Sequence, residues 1–154
     1  MEPYADSLFK ENPFGIKRII KCSVVAVLQA KVDKRDLHLI QPISRVLKKN
    51  DIHELILTDE REARPGQIVN RIAYLAFIEI STGGIIVVND EVYWNNNLLG
   101  MVAGFDDTHM PNHQNIILYS PKRSTGKELH IQVEDQILVQ SRKKSSSIMK
   151  EIKE

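Results

Sequence analysis

Thr82-Gly83-Gly84-Ile85-Ile86-Val87-Val88-Asn89-Asp90-Glu91-Val92-Tyr93-Trp94-Asn95-Asn96-Asn97-Leu98-Leu99-Gly100-Met101-Val102-Ala103 reads as a run of short strands cut by turns. Thr82-Gly83-Gly84 supplies a tight turn into Ile85–Val88, and Asn89-Asp90 separates that strand from Glu91–Trp94. Asn95-Asn96-Asn97 is a hairpin loop, because Asn tolerates the left-handed backbone that tight hairpins demand. Leu98–Ala103 then returns as the partner strand. Strands this short, punctuated this often, are the mark of a small β domain.

The flanking sequence extends the pattern. Ile52–Leu57 looks like a strand, and Thr58–Arg64 is a charged loop closed by Pro65-Gly66. Gln67–Ile80 fits both periods, since Ile72, Tyr74, Ala76 and Ile78 alternate while Ile68, Ile72, Leu75 and Ala76 also form a helical stripe. Its aromatic and β-branched content favours strand. Ile16–Val32 is dense in apolar residues, and Val24, Val25 and Val27 make it a long or bent strand. Asp33–Asp36 is a charged turn before a short apolar run at Leu37–Ile40. Pro42–Lys49 is the one internal helix candidate, with Pro42 suited to a first turn and Ile43, Val46 and Leu47 at helical spacing. Met110-Pro111-Asn112-His113 reads as a β-turn. Downstream, Ile116–Tyr119 and Leu129–Val139 read as the last strands. The expected architecture is mainly β, a small antiparallel barrel or sandwich with one short helix. Residues 1–15 form an irregular lead-in, 16–140 a single β-rich domain, and 141–154 a basic tail, either a terminal helix or frayed.

Composition narrows the classes of function. A hydrophobic share of 42% and a charged share of 27% over 154 residues suit one ordinary globular domain. One cysteine, Cys22, rules out an internal disulfide framework and a cysteine-built zinc site, and its apolar setting marks a small buried hydrophobe. No apolar stretch approaches membrane-spanning length and no leader pattern opens the chain, so a cytoplasmic protein is expected. The net charge of +1 divides into a tail of +3 and a body of −2. A weakly acidic body lacks the basic face that nucleic acid requires, so nucleic acid is not an expected partner.

The densest polar chemistry is Phe105-Asp106-Asp107-Thr108-His109-Met110-Pro111-Asn112-His113-Gln114-Asn115, running directly into Ile116-Ile117-Leu118. Polar groups beside core must satisfy one another or meet a ligand. His109 and His113 have the four-residue spacing of a helical ligand pair, but Pro111 removes an amide donor and opposes helix. A turn can still bring both imidazoles to one side, as acid–base groups or, with Asp107, as ligands of a divalent metal. Asp106, Asp107, Asn112 and Asn115 are the candidate ligand-binding residues there, and Arg71 is a candidate anion partner. The plainer alternative has Asp107 and Thr108 capping the turn, Asn112 and Asn115 pairing with backbone, and both histidines partly exposed. His38, His53 and His130 stand singly in apparent strands and read as satisfied or surface imidazoles. Arg61, Arg64 and Arg71 sit among Asp59, Glu60 and Glu62, where surface ion pairing competes with anion binding. No glycine-rich phosphate loop and no nucleophile elbow is present.

Gly84–Val92, then Gly100–Ala103, then Asn112–Ile116 resembles the sorbitol-type IIA component of the sugar phosphotransferase system, a small β-barrel phosphocarrier. That resemblance implies the barrel; its phosphorylated histidine would lie upstream of the glycine–aspartate turn, where Glu54–Thr108 contains no histidine. The Phe105–Asn115 stretch also resembles the signature of an uncharacterised prokaryotic family. The leading expectation is a small-molecule- or metal-binding β-barrel domain, with enzyme activity left open. The alternative is a non-catalytic interaction or assembly domain, self-associating or docking a partner through an apolar patch of Tyr93, Trp94, Leu98 and Leu99 around the Asn-rich loop, with the basic tail docking an acidic partner.

Overall fold

The computed structural model describes residues 14, 15 and 17–142. Its strands are β1 (Ile20–Val27), β2 (Lys31–Val32), β3 (Leu37–His38), β4 (Ser44–Leu47), β5 (Ile52–Thr58) and β6 (Ile68–Val69), followed by β7 (Ile72–Thr82), β8 (Gly84–Val87), β9 (Glu91–Trp94), β10 (Asn97–Asp106), β11 (Asn115–Tyr119) and β12 (Gln136–Gln140). The main sheet runs β1-β12-β9-β10-β11-β5-β7-β2, and β1 also pairs with β7. Seven of these strands therefore return on themselves in an unbroken ring of pairings, with β2 lying beside β7. The mainly β expectation holds.

Three expectations do not. The sheet is not wholly antiparallel, because β5 and β11 run parallel, Glu54 opposite Asn115 and Thr58 opposite Tyr119. Parity explains it: strands in a ring of seven cannot alternate direction all the way round, so at least one neighbouring pair must match. The helix expected over 42–49 is instead β4, an antiparallel partner of β8, and no helix occurs among the described residues. Its apparent helical stripe is not one face, since Leu47 is buried at 2% exposure while Val46 stands out at 70%. The final strand covers only Gln136–Gln140; residues 129–135 are mostly turn, with left-handed backbone at His130 and Glu134. The terminal helix considered for the basic tail lies outside the described residues.

The Asn hairpin forms as its sequence requires. Trp94 pairs with Asn97 across a two-residue turn in which Asn95 and Asn96 both have positive φ, 44° and 71°. Trp94 also donates its indole N–H to Asp135 Oδ2 at 2.8 Å, fastening β9 to the turn that leads into β12. Register breaks in the β1–β7, β5–β7, β9–β10 and β10–β11 pairings bend the strands, as closure of a small ring demands.

Two hydrophobic cores lie on opposite faces of the β5–β11 pair. Leu55, Leu57, Ile116 and Leu118 join the larger core with Phe105, Ile78 and Ile80. Ile56 and Ile117 point the other way, into a smaller core with Leu37, Leu39, Val69, Ile72 and Ala103. Strands covered on both faces read as continuous apolar runs, which is why Leu55-Ile56-Leu57 and Ile116-Ile117-Leu118 do not alternate. Each such side chain contributes about 1.5–3 kcal/mol by leaving water.

Close approach fixes Gly126, where an added Cβ would stand 1.9 Å from the Leu75 carbonyl oxygen. Gly126 N–H meanwhile donates to the Tyr74 carbonyl at 3.1 Å, so the backbone cannot withdraw without losing that bond. Gly126→Ala is expected to destabilise the protein by at least about 2 kcal/mol in urea denaturation, through forced displacement at a buried backbone contact. Gly15→Ala, where an added Cβ meets no atom of the described residues within 4 Å, should leave the midpoint unchanged.

Candidate functional site

The parallel pair brings the beginnings of β5 and β11 to the same end of the molecule, and the polar stretch before β11 folds over them. Strand alternation places His53 on the face of the larger core and Glu54 on the opposite face. His113 approaches Glu54: Nε2 is 3.4 Å from Oε1, close enough for electrostatic attraction but outside good hydrogen-bond geometry. Asn112 Nδ2 lies 3.1 Å from His113 Nδ1, within hydrogen-bond distance. The ring of Phe77, which sits opposite Glu54 on β7, meets His113 edge-on at 5.2 Å. His109 covers the outer side of His113, with ring centroids 4.9 Å apart and planes tilted by 31°.

His53 is buried, and its Nδ1 accepts the Gln114 backbone N–H at 3.0 Å. Its Nε2 is 3.9 Å from Asp51 Oδ2 with no hydrogen bond. The Gln114 side chain donates to the Asp106 carbonyl at 2.8 Å and to Asp107 Oδ1, while Arg45 reaches Asp107 Oδ2 at 3.0 Å. Asp106 Oδ1 accepts from Thr108 N and Asn115 Nδ2. The turn itself is shifted by one residue from its expected place. Asn112 N–H donates to the His109 carbonyl at 2.8 Å, and Pro111, joined to Met110 by a cis peptide bond, occupies the third position.

The expected residues thus divide. His109 and His113 do come together. Asp106 and Asn115 are buried and bonded to each other, so Asp106 caps the turn in the role expected of Asp107. Asn112 supports the His113 ring. Asp107 is held by Arg45 and Gln114, and among the described residues no three His, Cys, Asp or Glu side chains form a group able to hold a metal ion. The expected set of His109, His113 and Asp107 is therefore not assembled. Arg71 stands at the far end of the β5–β7 ladder, where its guanidinium makes two 3.1 Å bonds to Asp59. On the alternative assembly surface, Leu99 is buried and Leu98 is 55% exposed. Glu54, His53, Gln114, Arg45 and Phe77 were not singled out as site residues by sequence. The available signal was His53-Glu54, two adjacent polar residues opening an otherwise apolar strand.

Burial raises the Glu54 carboxyl above the ordinary carboxylate range, against the opposing pull of His109 and Arg35. Burial lowers the His53 imidazole; Asp51 partly offsets this and His113 adds to it. Four buried side-chain atoms among the described residues lack a hydrogen-bond partner: Arg45 Nε, His53 Nε2, His113 Nε2 and Asn115 Oδ1. Three sit at the start of the parallel pair, and Arg45 is tied to it through Asp107.

Residues 14–140 match DUF6917, a family of unknown function. No curated protein and no solved structure matches the chain, so the resemblance to the sorbitol-type IIA component is not confirmed. No helix among the described residues is long and apolar enough to cross a membrane.

Because the Glu54 value is raised in the fold, its contribution is full at acid pH and is lost as pH rises through that raised value. Glu54→Gln removes this penalty. The variant is expected to equal the parent in stability near pH 4 and to exceed it increasingly toward about pH 7, read from urea midpoints across pH.

Proposed function

This chain belongs to the family DUF6917, and we propose that it is a small-molecule-binding β-barrel domain whose site is the Glu54–His113–His109 cluster, with the capacity to move a proton. The observation that supports this reading most directly is the gathering of unpartnered buried polar atoms around one pair of strand ends. Elsewhere in a folded chain such atoms are costly, about 1–3 kcal/mol each, and hydrogen-bonding groups of a ligand or bound water offset that cost.

The chemistry follows from the layering. Glu54 lies at the bottom, its carboxyl raised by burial above its ordinary value. His113 lies over it with Nε2 facing the carboxylate, and exposed His109 separates His113 from solvent. A polar ligand bearing an exchangeable proton can displace Asn112 from His113 Nδ1, while Glu54, facing Nε2, steadies the charge on the imidazole when it takes that proton. Phe77 supplies an apolar wall. Arg71, engaged by Asp59 at the other end of the ladder, has no part in this site.

Screening a library of small polar metabolites by amide NMR tests the reading. Binding is expected to perturb residues 54, 77, 109 and 113 together, and His113→Ala should weaken it by roughly tenfold or more, the value of one hydrogen bond to an ionisable group. Hits that map elsewhere, or bind His113→Ala as well as the parent, would remove the site from consideration.

A further inference from the structure

His53 holds the roof of this site in place through a bond that exists in only one of its protonation states. Its Nδ1 accepts the Gln114 N–H at 3.0 Å, which requires a lone pair on that nitrogen. Gln114 is the residue at which the polar loop enters β11. One position back is His113, and the Gln114 side chain also anchors Asp106 and Asp107 at the loop's other end. Protonating His53 at Nδ1 would set two N–H groups against each other in a buried place. We propose that His53 is a pH-sensitive latch: as neutral imidazole it fixes the loop of residues 107–113 over Glu54, and as imidazolium it releases that loop and separates His113 from Glu54. The inference rests on the proposed site for its consequence, but the latch itself requires no ligand.

The surroundings favour the closed state at neutral pH. The charged groups near His53 are Asp51, in the turn before β5, and His113, before β11. Asp51 lies 3.9 Å from Nε2 and stabilises the imidazolium, whereas a protonated His113 would oppose it. From β7, Ile78 stands directly opposite His53, and Glu79 pairs one position away with Ile52. Toward the loop, the Arg45–Asp107 pair is engaged by the Gln114 side chain. Glu54 follows His53 but faces the other core. Burial outweighs Asp51, so the folded protein prefers neutral His53. The sign is then set: this stability is present above the ordinary histidine value and is lost as pH falls through the lowered one. The latch opens with acid.

Hydrogen exchange and histidine NMR on the whole chain, followed from about pH 7.5 to about pH 4.5, read both halves of the device. Gln114 amide protection, corrected for the intrinsic pH dependence of exchange, is expected to fall roughly tenfold per pH unit below the point where His53 titrates, while core amides such as that of Ile117 stay protected. His53→Asn, whose Oδ1 can accept the same bond but does not titrate, should keep Gln114 protected throughout the range. The latch is refuted if Gln114 protection stays flat while His53 titrates, if His53 stays neutral until the whole protein unfolds, or if His53→Asn opens with acid as the parent does. These measurements need no ligand, so a failed metabolite screen does not bear on the latch. A failed latch likewise leaves the screen to be judged by where its hits bind.

Discussion

The parity of the strand ring governs this structure. Seven strands that close on themselves must contain at least one parallel neighbour, and the chain places that pair at β5 and β11. An antiparallel pair would put the start of one strand beside the end of the other. The parallel pair instead sets two beginnings side by side, so two chain entries, each with polar residues, meet at one end. His53 and Glu54 come from one entry; His113, Gln114 and Asn115 come from the other. The polar cluster is a direct product of how the ring closes.

The same pair explains the division of the core. β5 and β11 are covered on both faces, which leaves little room for water and forces their polar first residues to find partners inside the protein. Some do: Gln114 with His53, Asn115 with Asp106. Others meet only in part, as His113 and Glu54 do at 3.4 Å. Loose polar contact beside tight apolar packing is where proton position and backbone geometry become coupled.

Much of the fold was legible because its cues are local. The Asn95-Asn96 turn, the Gly83-Gly84 break and the strands around them depend on backbone preferences of the residues present. The failures share a different origin. Pro42–Lys49 has a helical period on paper, but pairing with β8 decides its conformation, and local pattern does not contain that partner. Leu129–Val139 alternates well enough for a strand, yet left-handed backbone at His130 and Glu134 turns its first part aside. In the proposed site, the stretch from Asp106 to Asn115 supplies the roof, and Glu54 below it carries no local cue that ties it to that stretch. Glu54 lies some sixty residues earlier, and only the parallel register at Asn115 brings it close. The continuous apolar triplets Leu55–Leu57 and Ile116–Leu118 were the visible trace of that register.

Trp94 adds a practical consequence. It is the only tryptophan of the chain, it is partly buried, and its indole is bound to Asp135. It also stands at the opposite end of β10 from Asp106, separated by the length of a ten-residue strand. Its fluorescence therefore watches the β9–β12 side of the ring and is remote from events at the histidines. The molecule carries a built-in optical reference, one that distinguishes loss of the whole fold from a rearrangement confined to the polar end.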